Sequence, residues 1–84
     1  MADACVRLGM NRKQAYHFVA QAVKGSAELM LQTGKHPGEL KDMVCSPKGT
    51  TIEGIACLEK CGLRHAVMEA LDACAKRTDE LMKK

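Results

Sequence analysis

Ser46, Pro47, Lys48, Gly49, Thr50 and Thr51 stand together in the middle of the chain and feed directly into a run with helical spacing. Hydroxyls and backbone amides gathered at the positive start of a helix bind anions, either a carboxylate or a phosphate. An ordinary capped turn between two helices uses the same residue types, and spacing alone leaves both readings open. Lys48 adds a positive charge, although a lysine in a loop is more often solvated than ligating.

Cys57, Cys61 and His65 form a second group, spaced by four. Two ligands one turn apart on a helix can share a zinc ion. Three cannot on a straight helix, because residues eight apart lie about 12 Å apart along its axis. These cysteines are read as small apolar residues at helical spacing, and no metal site is expected. His17, His36 and His65 are dispersed, so no pairing of cysteine nucleophile and histidine base follows from spacing. No GxGxxG motif and no strand to carry one are present, so no dinucleotide site is expected within this chain.

The elements that must position these residues are all helical. Met1, Cys5 and Leu8 give an apolar side to a first segment that Gly9 ends, and its poor start reads as a chain beginning inside a longer helix. Asn11 is a good N-cap, with Gln14 at capping-box distance. From there Ala15, Phe18, Val19, Ala22, Val23, Ser26, Ala27 and Met30 make a wide apolar stripe. This helix is predicted to run to about Thr33 and stop at Gly34. Gly25 in its interior suggests that another helix approaches closely there.

Pro37 opens a short helix with Leu40, Met43 and Val44 on its apolar side. Pro47 biases Ser46 away from helix and closes that element, and Gly49 allows a backbone turn that other residues resist. Thr50 or Thr51 opens the next helix, with Thr50 and Glu53 at capping-box spacing, and Gly62 ends it. The last helix covers about Leu63 to Lys83. Its apolar positions Leu63, Val67, Ala70, Cys74 and Leu81 form a near-heptad stripe suited to a long contact with another helix.

Eighty-four residues make one small domain whose core is marginal without a partner. Tyr16 and Phe18 are its aromatics, too few for stacking on single-stranded nucleic acid. The net charge of +3 is spread among acids without a basic block, so no nucleic-acid partner is expected. No apolar run reaches the length of a membrane span, and the first residues lack the apolar stretch of a secretory signal. The cysteine count of five, with irregular spacing, fits a reducing compartment better than a disulfide framework. An intracellular location, cytoplasmic or mitochondrial, is therefore expected.

The run HPGELKDMVCSPKGTTIEGIACLE resembles the signature region of pyrroline-5-carboxylate reductase. The matching residues are Pro37, Leu40, Val44, Cys45, Ser46, Pro47, Gly49, Thr51, Gly54, Ile55, Leu58 and Glu59. ADACVRLGM, AVKGSAELMLQTGKHP and CGLRHAVMEALDACAKRTDEL match the family in pattern, so the resemblance covers essentially the whole chain.

The resemblance implies an all-α bundle of four to five helices over residues 1–84, interlocking with a second copy. It is the family's C-terminal dimerisation and substrate-binding domain, entered within its long first helix. The N-terminal Rossmann domain, which binds NAD(P)H in the full-length enzyme, is absent from this chain. Such enzymes reduce 1-pyrroline-5-carboxylate to L-proline as homodimers or larger rings of dimers. The resemblance implies that Ser46, Gly49, Thr50 and Thr51 bind substrate. Ser46, Gly49 and Thr50 hold its carboxylate, and Thr51 polarises or protonates the imine.

One position departs from the pattern. The family carries glycine, alanine or asparagine where this chain has Lys48. Lysine costs roughly 1 kcal/mol or more there if φ must be positive, or it adds attraction for the carboxylate. A non-catalytic helical interaction module derived from the same family is the alternative function. With no dinucleotide fingerprint present, the 84-residue chain alone is expected to leave NAD(P)H unconsumed when mixed with pyrroline-5-carboxylate. Absorbance at the reduced nicotinamide band checks this.

Overall fold

The end of each helix is written in its flanking residues, and the computed structural model, which describes residues 1–83, shows how. Five helices follow one another: α1 Ala2–Arg7, α2 Arg12–Thr33, α3 Pro37–Val44, α4 Thr50–Lys60 and α5 Leu63–Met82. No strand occurs among the described residues. The all-α expectation is met, with boundaries close to those read from the sequence.

α1 ends in a Schellman arrangement. The amide of Gly9 donates to the Val6 carbonyl at 2.9 Å, and that of Met10 to the Cys5 carbonyl at 3.0 Å. Gly9 stands at φ 108°, where a side chain would be strained. Two residues later Asn11 caps α2: its Oδ1 accepts from the amides of Lys13 at 2.9 Å and Gln14 at 3.3 Å. The expected capping box is thus half made, with Gln14 contributing its amide. α2 stops where expected, at left-handed Gly34, whose amide bonds the Met30 carbonyl at 3.0 Å.

Two compact units make up the chain, one of Met1–Met43 and one beginning at Val44. In the first, α1 packs on α2. Ala15, in the first turn of α2, is alone among the described residues in being fully buried. Cys5, Val6, Met10 and Val19 are half-buried. In the second unit α4 packs on α5 through a tight joint at Cys61 and Gly62, where Gly62 takes φ 77°. Ile52 and Ile55 are half-buried on α4.

The apolar stripes of α2 and α5, read as wide faces for contact with another helix, are mostly uncovered. Phe18 is 58% exposed, Val23 51%, Val67 51% and Leu81 51%. Of the apolar side read on α3, Leu40 is half-buried while Met43 and Val44 are exposed. A methyl group added at Gly25 would meet nothing within 4 Å, so the close helix expected there is not supplied by its own unit. Cys57, Cys61 and Cys74 are likewise exposed, and only Cys5 and Cys45 are half-buried. Cys57 and Cys61, read as small apolar residues at helical spacing, are therefore not covered.

One charged link reinforces the joint between α1 and α2. The Arg12 guanidinium bonds the Asp3 carboxylate and lies over the Tyr16 ring, 5.8 Å from its centroid. That hydrogen bond, then the attraction of the Arg12 charge, holds the Asp3 carboxyl below the usual carboxylate range. A group with a lowered folded-state pKa adds stability that is fully present above its unfolded pKa and is lost as pH falls through the lowered value. Both groups face solvent, so the effect is small. Thermal melts of wild type and Asp3→Asn are expected to differ at neutral pH and to converge below the carboxylate range.

Candidate functional site

The stretch that could bind an anion folds as a β-turn leading into α4. The Gly49 amide donates to the Ser46 carbonyl at 3.0 Å. Pro47 takes the second turn position, which suits its fixed φ, and Lys48 takes the third at φ 57°. Among the described residues Lys48 is the one non-glycine with positive φ. Proline second and positive φ third is the type II pattern, in which glycine or asparagine is usual at the third position.

Gly49 plays a different part from the one expected. Its φ is −76° and its ψ 168°, an extended conformation open to any residue. The need for glycine is spatial: a Cβ there would lie 2.4 Å from Ser46 Oγ and 3.0 Å from the Ser46 carbonyl oxygen. The Ser46 hydroxyl is folded directly over the start of α4, and glycine makes room for it. The left-handed strain falls on Lys48 instead.

Gly49 is also the N-cap of α4, which has no side-chain cap bond. The capping box expected between Thr50 and Glu53 is not made. The first helical bond runs from the Glu53 amide to the Gly49 carbonyl at 3.4 Å. The amides of Thr50, Thr51 and Ile52 therefore have no acceptor, as the geometry of a helix start dictates. They point out of the positive end of an 11-residue helix. The Ser46 hydroxyl stands beside this end, and the Thr50 and Thr51 side chains are exposed on its first turn.

Four residues singled out in the sequence, Ser46, Gly49, Thr50 and Thr51, are thus brought to one helix start. The Gly49 amide is taken by the turn, so it is not available to a ligand. Sequence reasoning missed the Ile52 amide, which counting from the helix start would have found. Glu53 in the first turn opposes an anion, and Lys48 favours one. The ion pairs among the described residues lie elsewhere, so none of them neutralises Lys48.

The other groups do not assemble. Among the described residues no three histidine, cysteine or acidic side chains come together as a metal cluster. His65 lies 3.4 Å from Glu69 on α5. One further concavity of about 470 Å³ lies in the first unit. It is apolar and open, lined by Ala22, Ser26, Ala27 and Met30 of α2 with Pro37 and Leu40 of α3.

Residues 1–81 match the model of the family described as pyrroline-5-carboxylate reductase dimerisation. The chain belongs to that family. It is 59% identical over 83 residues to the pyrroline-5-carboxylate reductase of Escherichia coli (strain K12), covering 99% of this chain and 31% of that protein. The reductase of Methanosarcina acetivorans is 55% identical over 84 residues, covering 100% of this chain and 31% of that protein. The crystal structure of Plasmodium falciparum pyrroline carboxylate reductase with NADP bound superposes with a TM-score of 0.86 at 34% identity. That match covers 90% of this chain and 29% of the solved one. The chain thus spans about a third of the length of the reductases it matches.

Membership of the dimerisation family bears out the resemblance read from HPGELKDMVCSPKGTTIEG. The turn geometry sets its energetics. Lys48→Gly is expected to raise stability by about 0.5–1 kcal/mol, the relief of a left-handed side chain less the entropy of an added glycine. Gly49→Ala is expected to lower it by roughly 1–3 kcal/mol through overpacking on Ser46. Ser46→Ala should recover part of that loss, because it removes the closest contact and leaves the carbonyl. Urea unfolding of the four chains measures all of this.

Proposed function

We propose that this chain is the dimerisation and substrate-holding part of a pyrroline-5-carboxylate reductase, which converts 1-pyrroline-5-carboxylate to L-proline with NAD(P)H. The observation that carries the proposal is the shortage of covered core in a chain whose family is defined by dimerisation. Phe18, Val23 and Leu29 on α2 and Leu63, Val67 and Leu71 on α5 are all about half exposed or more. Such faces end up buried in obligate dimers, whose interfaces are large and apolar, often above roughly 2,000 Å² in total. The open space beside Gly25 and the groove lined by Ser26 and Ala27 let a helix of a second copy come close.

Under this proposal the start of α4 holds the substrate carboxylate. The free amides of Thr50, Thr51 and Ile52 and the Ser46 hydroxyl supply donors, and the helix end supplies partial positive charge. Lys48 adds a full charge at the edge. Thr51 then acts on the ring nitrogen. A hydrogen bond from its hydroxyl draws electron density away from the imine carbon, which readies that carbon for hydride. The nitrogen takes up a proton, passed from the Thr51 hydroxyl, which is reprotonated by water, as the imine becomes an amine. NAD(P)H, when bound to the whole enzyme, would be the hydride source. The chain's described residues form no strand and no dinucleotide turn, so they do not fit that group. Its site belongs, in this reading, to the Rossmann domain at the N-terminal side of the whole enzyme.

Two measurements test the two halves. Sedimentation equilibrium over a wide concentration range should find a dimer of this chain, and Ala27→Arg should weaken it. A folded wild-type monomer at high concentration overturns the dimer. For the site, the chain can be grafted in place of the matching segment of the Escherichia coli reductase. Thr51→Val should then lower kcat by roughly ten- to a hundredfold with little change in KM, as expected of a transition-state hydrogen bond. Ser46→Ala should raise KM. An active graft indifferent to both substitutions leaves the chain as an interaction module alone.

A further inference from the structure

α3 closes its own start through one side chain. Its first residue is Pro37, which has no amide to satisfy. The amides of Glu39 and Leu40 both donate to the His36 carbonyl, at 3.0 and 3.1 Å. Gly38 holds the remaining first-turn donor, and it donates to His36 Nδ1 at 2.9 Å. The ring is seated against that residue: a Cβ at Gly38 would lie 3.1 Å from Nδ1 and 3.3 Å from Cε1. One histidine therefore satisfies the whole first turn with its carbonyl and its ring, in the place where serine, threonine or asparagine usually serves.

A ring nitrogen accepts a hydrogen bond only when it carries no proton, so this bond requires the neutral ring with its hydrogen on Nε2. A protonated ring presents two donors. It also sets a positive charge at the positive end of a helix, which is unfavourable for the same reason that cations favour the other end. Both effects act in one direction, and the cap is made with the ring neutral and unmade with it charged.

We propose that His36 is a proton-gated cap of α3 and, through α3, of one wall of the apolar groove. Pro37 and Leu40, the residues next to the cap, form that wall. This second step rests on the proposal that a second copy occupies the groove. The charged side chains nearest the cap in sequence are Lys35, Glu39, Lys41 and Asp42. The Lys35 ammonium is turned to Met43 Sδ at 3.8 Å. Lys41 pairs with Asp42 at 3.1 Å, and Glu39 lies in the first turn of α3. From α2, the groove is faced by Ala22, Val23, Ser26, Ala27 and Met30, none of which titrates. Met1 also lines it.

The experiment is an NMR titration of the 84-residue chain that follows the His36 ring, the Gly38 amide and the Cα shifts of Pro37 to Leu40, in wild type and His36→Asn. The Gly38 amide should move with the midpoint of the His36 ring, and the Cα shifts should fall towards coil values as the ring charges. His36→Asn, which keeps a neutral cap, should hold both constant. Should the ring titrate while Gly38 and the Cα shifts stay still, the cap proposal is wrong. Sedimentation at the same pH values reads the second step. Protonation should weaken the wild-type dimer by roughly three- to tenfold, the scale of a lost cap, and leave that of His36→Asn unchanged. Equal weakening of both refutes the link to the groove. A chain monomeric at every pH refutes the dimer reading, while the NMR result still decides the cap.

Discussion

Apolar surface is the quantity that governs this protein. Five helices carry enough valine, leucine, isoleucine, methionine and phenylalanine for a core, yet Ala15 is the one fully buried residue among those described. The hydrophobic effect scales with area removed from water, roughly 25 cal/mol for each Å². A chain that hides so little of its apolar area has little to set against the entropy of ordering its backbone. Local devices therefore carry an unusual share of the fold. The Schellman end at Gly9, the Asn11 cap and the Arg12–Asp3 link all sit at the joint of α1 and α2, and the single buried residue lies in the first turn of α2.

The two helix starts that flank the central turn are built in opposite ways. α3 satisfies its own first-turn donors with His36. α4 leaves the amides of Thr50, Thr51 and Ile52 open and has no side-chain cap. An uncapped start forgoes roughly 0.5–2 kcal/mol, and the turn before it carries a lysine in left-handed conformation as well. Strain at Lys48 and unmet donors at Thr50, Thr51 and Ile52 gather in one short stretch, the kind of cost that clusters at functional sites. Under the proposed function, a substrate carboxylate seated there would supply the missing acceptor, with the Ser46 hydroxyl beside it.

Much of this was legible in the chain. Asn11, Gly34, Pro37 and Gly62 mark helix ends because each acts through its own backbone or its own short side chain, and such effects are local. The family pattern around Ser46 and Thr51 was legible for the same reason. What escaped was whatever depends on three dimensions. Thr50 and Glu53 have capping-box spacing, but Gly49 takes the cap position and the box does not close. Gly49 reads as a residue chosen for its φ, and only the position of Ser46 Oγ shows that it is chosen for its size. Helical periodicity finds an apolar stripe without saying what covers it, so the faces of Phe18 and Val67 were legible as contact faces while their cover was not.

The solitary burial of Ala15 has a consequence for how this sequence can vary. In an ordinary domain, tolerance to substitution follows depth within the chain's own fold. Here that map would leave nearly every position free apart from Ala15, the helix ends and the central turn. Sequence constraint on the long faces of α2 and α5 must then come from outside the chain. Substitutions there would drift in matched pairs that no contact within one copy explains. Such pairs, collected across relatives, would trace the outline of a surface that a single copy never touches.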